Sequence, residues 1–143
     1  MKVGICNDHA GVVLKNKLTS VLKERGYEVV NIGTDSEESI DYPDVAHPLA
    51  GRIESGERDF GVAICGTGNG MALALNHHKG IRAGLAWNSE VASLVKRHNN
   101  ANVLVLSARF VSDEQNIENL KAYLDASFEG GRHERRVEKI LEF

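Results

Sequence analysis

Five short runs rich in valine and isoleucine punctuate this chain: Lys2–Cys6, Tyr27–Ile32, Phe60–Cys65, Ile81–Trp87 and Val103–Leu106. Runs of this length read as buried strands, and helical patterns fill the intervals between them. Strands alternating with helices build a parallel sheet covered on both faces. The expected fold is α/β, a three-layer sandwich with a five-stranded parallel sheet and a C-terminal helical tail.

The first helix carries Leu14, Leu18, Val21 and Leu22 on one stripe and stops at Gly26. A second follows Pro43 through Leu49 and Ile53 to Gly56, and a third begins near Gly70 and fades around Asn76–Gly80. A fourth starts at Asn88 or Ser89 and ends near His98; a fifth spans Asp113 to Phe128 before Gly130-Gly131 breaks it. Trp87 is expected in or beside the core. Arg132 to Phe143 is a short basic-then-apolar tail, whose Val137, Ile140 and Leu141 should pack on this domain or on a second subunit.

The 143 residues suit one domain, 1–143. A formal charge of -3 gives no global reason to expect nucleic acid or membrane as a partner. No apolar run approaches the roughly 20 residues of a membrane span, and Met1–Ile5 turns polar too quickly for a signal peptide, so a cytoplasmic location is expected. Cys6 and Cys65 form neither a disulfide framework nor a metal-ligand spacing. Cys6 reads as core filler, His77-His78 as a polar loop, and no metal is expected.

Ligands of open doubly wound sheets bind beyond the carboxyl ends of the strands, where the strand order reverses. With the expected order 2-1-3-4-5, the first and third strands flank that crevice. Asp8 and His9 follow one; Cys65, Gly66 and Thr67 follow the other. A carboxylate, an imidazole, a thiol and a hydroxyl therefore converge by topology alone. The segment Cys65-Gly66-Thr67-Gly68-Asn69-Gly70 lets the backbone approach a ligand closely and aims amide donors at one point, which suits a phosphate or a developing oxyanion. Those amides and the following helix N-terminus would lower the Cys65 pKa from its free value of about 8.5. The spacing is neither the dinucleotide fingerprint nor a P-loop. Met71 stands where a cysteine phosphatase needs arginine, so proton abstraction by the thiolate is favoured over attack on phosphorus.

Each remaining candidate also has a structural reading. Asp8 can cap the first helix, His98-Asn99-Asn100 can end the fourth, and Arg132, Arg135 and Arg136 can be a solvated charge run. Read functionally, Arg132 and Arg136 share a helix face as an anion clamp, with Arg109 a further member.

Asp8-His9-Ala10-Gly11, Asp41-Tyr42-Pro43, Cys65 to Gly70, His98-Asn99 and Gly130-Gly131-Arg132-His133 together resemble the type B ribose 5-phosphate isomerases. The five motifs occur in the family's order and span nearly the whole chain. The resemblance implies a Rossmann-like fold, a homodimer or dimer of dimers with active sites shared between subunits, no cofactor and no metal, and a sugar phosphate as the small-molecule partner. It implies Cys65 as the base that moves a proton between carbons 2 and 1, with Thr67 beside it. The amides of Gly66, Gly68, Asn69 and Gly70 would stabilise the enediolate, and His98 and Asp8 would open the furanose ring. His9, Arg132 and Arg136 match phosphate ligands, Arg109 is a further candidate, and Tyr42 and Asn99 match sugar-contacting positions. Asn69 stands where the family has an aliphatic residue, and Asn76-His77-His78-Lys79 departs from its usual Asn-Lys start. The expected activity is isomerisation of ribose 5-phosphate and ribulose 5-phosphate. Allose 6-phosphate or galactose 6-phosphate isomerisation, a non-catalytic phosphosugar-binding module and a thiol-redox protein are the alternatives.

Overall fold

The computed structural model describes residues 1–142. Its strands are β1 (Lys2–Asn7), β2 (Glu28–Asn31), β3 (Phe60–Cys65), β4 (Ala83–Leu85) and β5 (Val103–Ser107), all parallel. The helices are α1 (Val12–Glu24), α2 (Pro43–Glu54), α3 (Asn69–Asn76), α4 (Ser89–Arg97), α5 (Asp113–Leu124) and α6 (Arg132–Ile140). The three-layer α/β architecture is the expected one.

Period-two alternation divides the core between the two faces of the sheet. Val3, Ile5, Val62, Ile64, Leu104 and Leu106 meet Leu14, Leu18 and Leu22 of α1, Ala92 of α4, and Leu120 and Tyr123 of α5. Cys6, Ala63, Cys65, Val103 and Val105 meet Val45, Ala46 and Leu49 of α2 and Met71 and Leu75 of α3. Every residue of β3 is buried, as its central place requires.

The strand order corrects the expected 2-1-3-4-5. It runs β2-β1-β3-β5-β4, so the chain passes over one position to form β4 and returns to insert β5 beside β3. Burial accounts for the exchange. The run Val103-Leu104-Val105-Leu106-Ser107 is buried throughout and gains most from covering on both faces, whereas Ala83-Gly84-Leu85 is short, half-buried and tolerable at an edge. The return also explains why α4 joins α1 rather than α3, because a right-handed crossover changes face when its direction along the sheet reverses.

Two further expectations are corrected. Trp87 is 59% exposed, because β4 ends at Leu85 and leaves the indole on the loop beyond it. Helix α5 stops at Leu124, short of Phe128, and the chain turns so that the Glu129 amide can donate to the Arg97 carbonyl at 2.9 Å. The tail forms α6, on which Ile140 is 59% and Leu141 55% exposed, so these side chains pack little on their own chain.

Candidate active site

Strand pairing sets Asn7 beside Ile64 and Cys65 beside Ser107, so the carboxyl ends of β1, β3 and β5 share one rim. Cys65 is 5% exposed, and its Sγ accepts the Gly68 amide at 3.2 Å. Gly68 adopts φ +92°, and a Cβ there would lie 2.4 Å from Leu85 Cδ1, so only glycine fits this corner. Thr67 and Asn69 are exposed on the loop, where Thr67 Oγ1 accepts the Asn69 amide at 3.1 Å. Two of the four loop amides thus donate within the loop itself.

Asp8 and His9 stand at the neighbouring strand end. The Asp8 amide donates to the Ile64 carbonyl, while Asp8 Oδ1 accepts the Ala10 amide at 2.9 Å and caps the short 3-10 turn His9–Gly11. His9 Nδ1 accepts the Ile40 amide at 3.2 Å, which leaves the ring proton on Nε2 as a donor. The Tyr42 ring lies over Gly70, so close that a Cβ at position 70 would be 2.6 Å from Cζ. Arg109 lies over Gly66, and its backbone amide donates to the Gly66 carbonyl at 3.0 Å. Beside the loop, Thr67, Asn69, Leu85, Trp87 and Phe110 line a hollow of about 340 Å³. That volume is at the lower end for small-ligand sites, which run from roughly 300 Å³ upward.

The other predicted residues form a second group. Helix α4 runs back from the carboxyl end of β4, so His98 and Asn99 sit just before β5 begins, at the opposite end of the sheet from Cys65. The five residues of β5 separate the two ends by roughly 16 Å at about 3.3 Å per residue. His98 stacks on His133 with ring centroids 4.0 Å apart and planes 9° apart. Arg132 and Arg136 belong to the same α6 and are exposed. Within one chain, Asp8, His9, Tyr42, Cys65, Gly66, Thr67, Gly68, Asn69, Gly70 and Arg109 come together. His98, Asn99, Arg132 and Arg136 do not join them.

Several supporting residues escaped the sequence reading. Ser107 Oγ donates to the Gly66 carbonyl at 2.7 Å and accepts the Phe110 amide, bracing the thiol loop from β5. Asn116 Nδ2 holds the Ser107 carbonyl at 2.8 Å. Asn7 Nδ2 donates to the carbonyls of Asp8 and Thr34, and the buried Lys15 reaches Thr34 and Asp35, so together they fasten the segment leading to Tyr42. The available signal was a polar residue ending an apolar strand, Ser107 or Asn7, or a lysine on an apolar stripe. His78 is more than a polar loop residue: it contacts His47 of α2 at 2.6 Å and Glu54 at 3.3 Å, tying the end of α3 to α2. Cys6 is fully buried against Met71, where desolvation pushes its thiol pKa far upward, and both cysteines are free. No helix among the described residues is long and apolar enough to cross a membrane.

A thiol under a glycine-rich turn at the switch point of a parallel sheet, flanked by a carboxylate, an imidazole and a guanidinium, marks an α/β protein with a small-ligand site at the carboxyl ends of its strands. The family model described as Ribose/Galactose Isomerase matches residues 3–140. The chain belongs to that family. It is 42% identical over 139 residues to the ribose-5-phosphate isomerase B of Escherichia coli K12, covering 97% of this chain and 93% of the relative. A solved structure of ribose-5-phosphate isomerase B from Clostridium thermocellum superposes with a TM-score of 0.97 at 46% identity, covering 99% of this chain and 96% of that one. The Mycoplasma genitalium enzyme, solved with bound ribulose-5-phosphate, gives 0.93 at 42%, covering 98% and 93%.

Proposed function

We propose that this chain is an aldose–ketose isomerase interconverting ribose 5-phosphate and ribulose 5-phosphate through an enediolate. The observation that carries the reading is Cys65, whose sulfur accepts the Gly68 amide while Asp8, His9 and Arg109 stand around it. The relatives named for this reaction support the substrate. The Cys65 thiolate takes the carbon 2 proton of the open-chain aldose and returns it to carbon 1, while the carbon 2 hydroxyl gives up its proton and the former carbonyl oxygen on carbon 1 gains one. The amides of Gly66 and Gly70 face the developing oxyanion, while Gly68 serves the sulfur and Asn69 serves Thr67. His9 Nε2–H and Arg109 supply charge-assisted donors for phosphate. Tyr42 and Asn99 contact the sugar. Binding the phosphate at one end holds carbons 1 and 2 over the sulfur at the other.

His98, Asn99, Arg132 and Arg136 complete this site from a second copy of the chain. Two features support a shared site: these residues lie a sheet length from their own Cys65, and Leu73, Trp87, Phe110, Ile140 and Leu141 are exposed apolar side chains in want of a partner. In a two-fold dimer each site then pairs one chain's Cys65 with the other's His98. The test mixes Cys65→Ala with His98→Ala protomers after separate purification and gentle dissociation. Each variant alone is inactive, and random reassociation restores about a quarter of wild-type turnover, since half the dimers are mixed and one of their two sites is intact. No recovery, with mixed dimers shown by mass spectrometry, refutes the shared site.

A further inference from the structure

One carboxylate in the second group has no part in the chemistry above. Glu129 sits in the segment between α5 and α6, and its Oε2 accepts from Arg97 Nε at 2.7 Å. Its other oxygen, Oε1, faces two imidazoles at once, His98 Nε2 at 3.5 Å and His133 Nε2 at 3.8 Å. The Arg97 hydrogen bond is the main reason the Glu129 carboxyl is held below its ordinary pKa, so Glu129 is an anion. The His133 side chain is only 12% exposed, and desolvation first, then the neighbouring His98, holds its pKa below the ordinary histidine range. His133 is therefore biased toward its neutral form. Arg132 and Arg136 complete the charged surroundings from α6.

From this geometry we infer that Glu129 is a positioning residue for His98. Its Oε1 accepts the Nε2 proton and thereby fixes the tautomer, and Arg97 clamps the carboxylate while the His133 ring limits rotation of the imidazole. His98 Nδ1 is left as the working atom. This assignment rests on the isomerase reading of the site. In ring opening the furanose C1 hydroxyl gives its proton to the Asp8 carboxylate of the other copy, the C1–O4 bond breaks, and O4 takes the Nδ1 proton of the His98 imidazolium, which leaves the neutral ring with its remaining proton on Nε2 toward Glu129. The charge left on Asp8 and His98 is restored by exchange with water. The composition of this trio also suits a metal, and its ligand atoms lie within 4.8 Å of one another. Parallel rings, however, aim their two Nε2 lone pairs side by side rather than at one point, and three guanidinium groups surround the cluster. A proton-holding carboxylate fits that environment better than a cation site.

Glutamine at 129 keeps the length, and because its one oxygen stays with the Arg97 Nε donor it turns an N–H toward His98 Nε2, which selects the opposite tautomer. Imidazole nitrogen-15 NMR on histidine-labelled protein reads this directly: wild type is expected to show His98 protonated at Nε2, Glu129→Gln at Nδ1, and Glu129→Asp to retain the wild-type form. Turnover of ribose 5-phosphate, which is largely a furanose, should fall about 10- to 100-fold in Glu129→Gln, part of the usual value of a general acid. Ribulose 5-phosphate has its O5 esterified and cannot close that ring, so exchange of its carbon 1 hydrogen with D2O should stay within about twofold of wild type. An unchanged His98 tautomer in Glu129→Gln overturns the inference, as does a loss of exchange equal to the loss of turnover. Wild type that fails to turn over ribose 5-phosphate refutes the isomerase reading instead, and the NMR result still decides the hold on His98.

Discussion

Replacing Gly70 with alanine separates ligand recognition from stability at a single atom. Gly70 lies in the first turn of α3 without a positive φ, so the backbone accepts alanine and helix propensity favours it by up to about 1 kcal/mol. The new Cβ would stand 2.6 Å from Tyr42 Cζ and 2.9 Å from both Cε atoms, well inside contact distance. Tyr42 is 37% exposed, so its ring can swing outward rather than force the helix away. Such overpacking costs about 1–3 kcal/mol where nothing yields, and less here, so the two effects nearly cancel. The melting temperature should move by no more than about 5 °C, given roughly 2–4 °C per kcal/mol for a chain of this size. On the proposed site a displaced Tyr42 loses its place against the sugar, and KM for ribose 5-phosphate should rise about tenfold, or about 1.4 kcal/mol of binding, with kcat within about twofold. Steady-state kinetics on Gly70→Ala, Tyr42→Ala and the double variant give the decisive cycle. If the ring carries the effect, the double variant is no worse than Tyr42→Ala alone. Additive losses, or a fall in kcat with KM unchanged, would refute the reasoning and locate the damage in the anion-stabilising amide.

Two other outcomes follow from the same geometry. Cys65→Ala should lower turnover at least about 100-fold while leaving the affinity for inorganic phosphate, measured by calorimetry, close to wild type; Arg136→Ala should chiefly raise KM, and equal losses of phosphate affinity in the two variants would contradict this division. The Asp35 carboxyl is held below its ordinary pKa by hydrogen bonds from Lys15, then Asn31. Its folded pKa is depressed, so its stabilisation is fully present above the unfolded carboxylate value of about 3.9 and is lost as pH falls through the lower folded value. Urea melts of Asp35→Asn from pH 6 down to pH 2 should lose less stability on acidification than wild type, and parallel curves would show that the pair does not couple to folding.

The Cys65 side of the site was legible because it depends on topology alone: whatever follows β1 and β3 in such a sheet meets at the crevice, so Asp8, His9 and Cys65 could be grouped without coordinates. The tight turn was legible from its glycines, of which Gly68 with φ +92° is the one that needs to be glycine. Glu129 was not legible. Its role comes from a chain reversal after Leu124 that brings it against Arg97, 32 positions away, and no local pattern records such a pairing. The same holds for Lys15, whose place on an apolar stripe conceals its reach to Thr34 and Asp35.

The strand order shows how a plausible local reading can misplace a site wall. With β4 next to β3, the residues beside Cys65 would be those following Leu85, an alanine, an exposed tryptophan and the Asn88 helix cap. The observed order puts Ser107 there instead, and three consequences follow from that one exchange. Ser107 braces the Gly66 carbonyl, the chain after it returns the Ala108 and Arg109 amides to the carbonyls of Cys65 and Gly66, and the Arg109 guanidinium comes to lie over the loop. The preference that selects this order is the burial of Val103–Leu106 on both faces, a matter of core packing rather than of chemistry. A strand chosen for its hydrophobicity thus delivers the cation and the brace that the thiol loop uses. Polar substitution of Leu104 or Val105 should therefore disturb the Cys65 loop as well as the core, even though both side chains are fully buried.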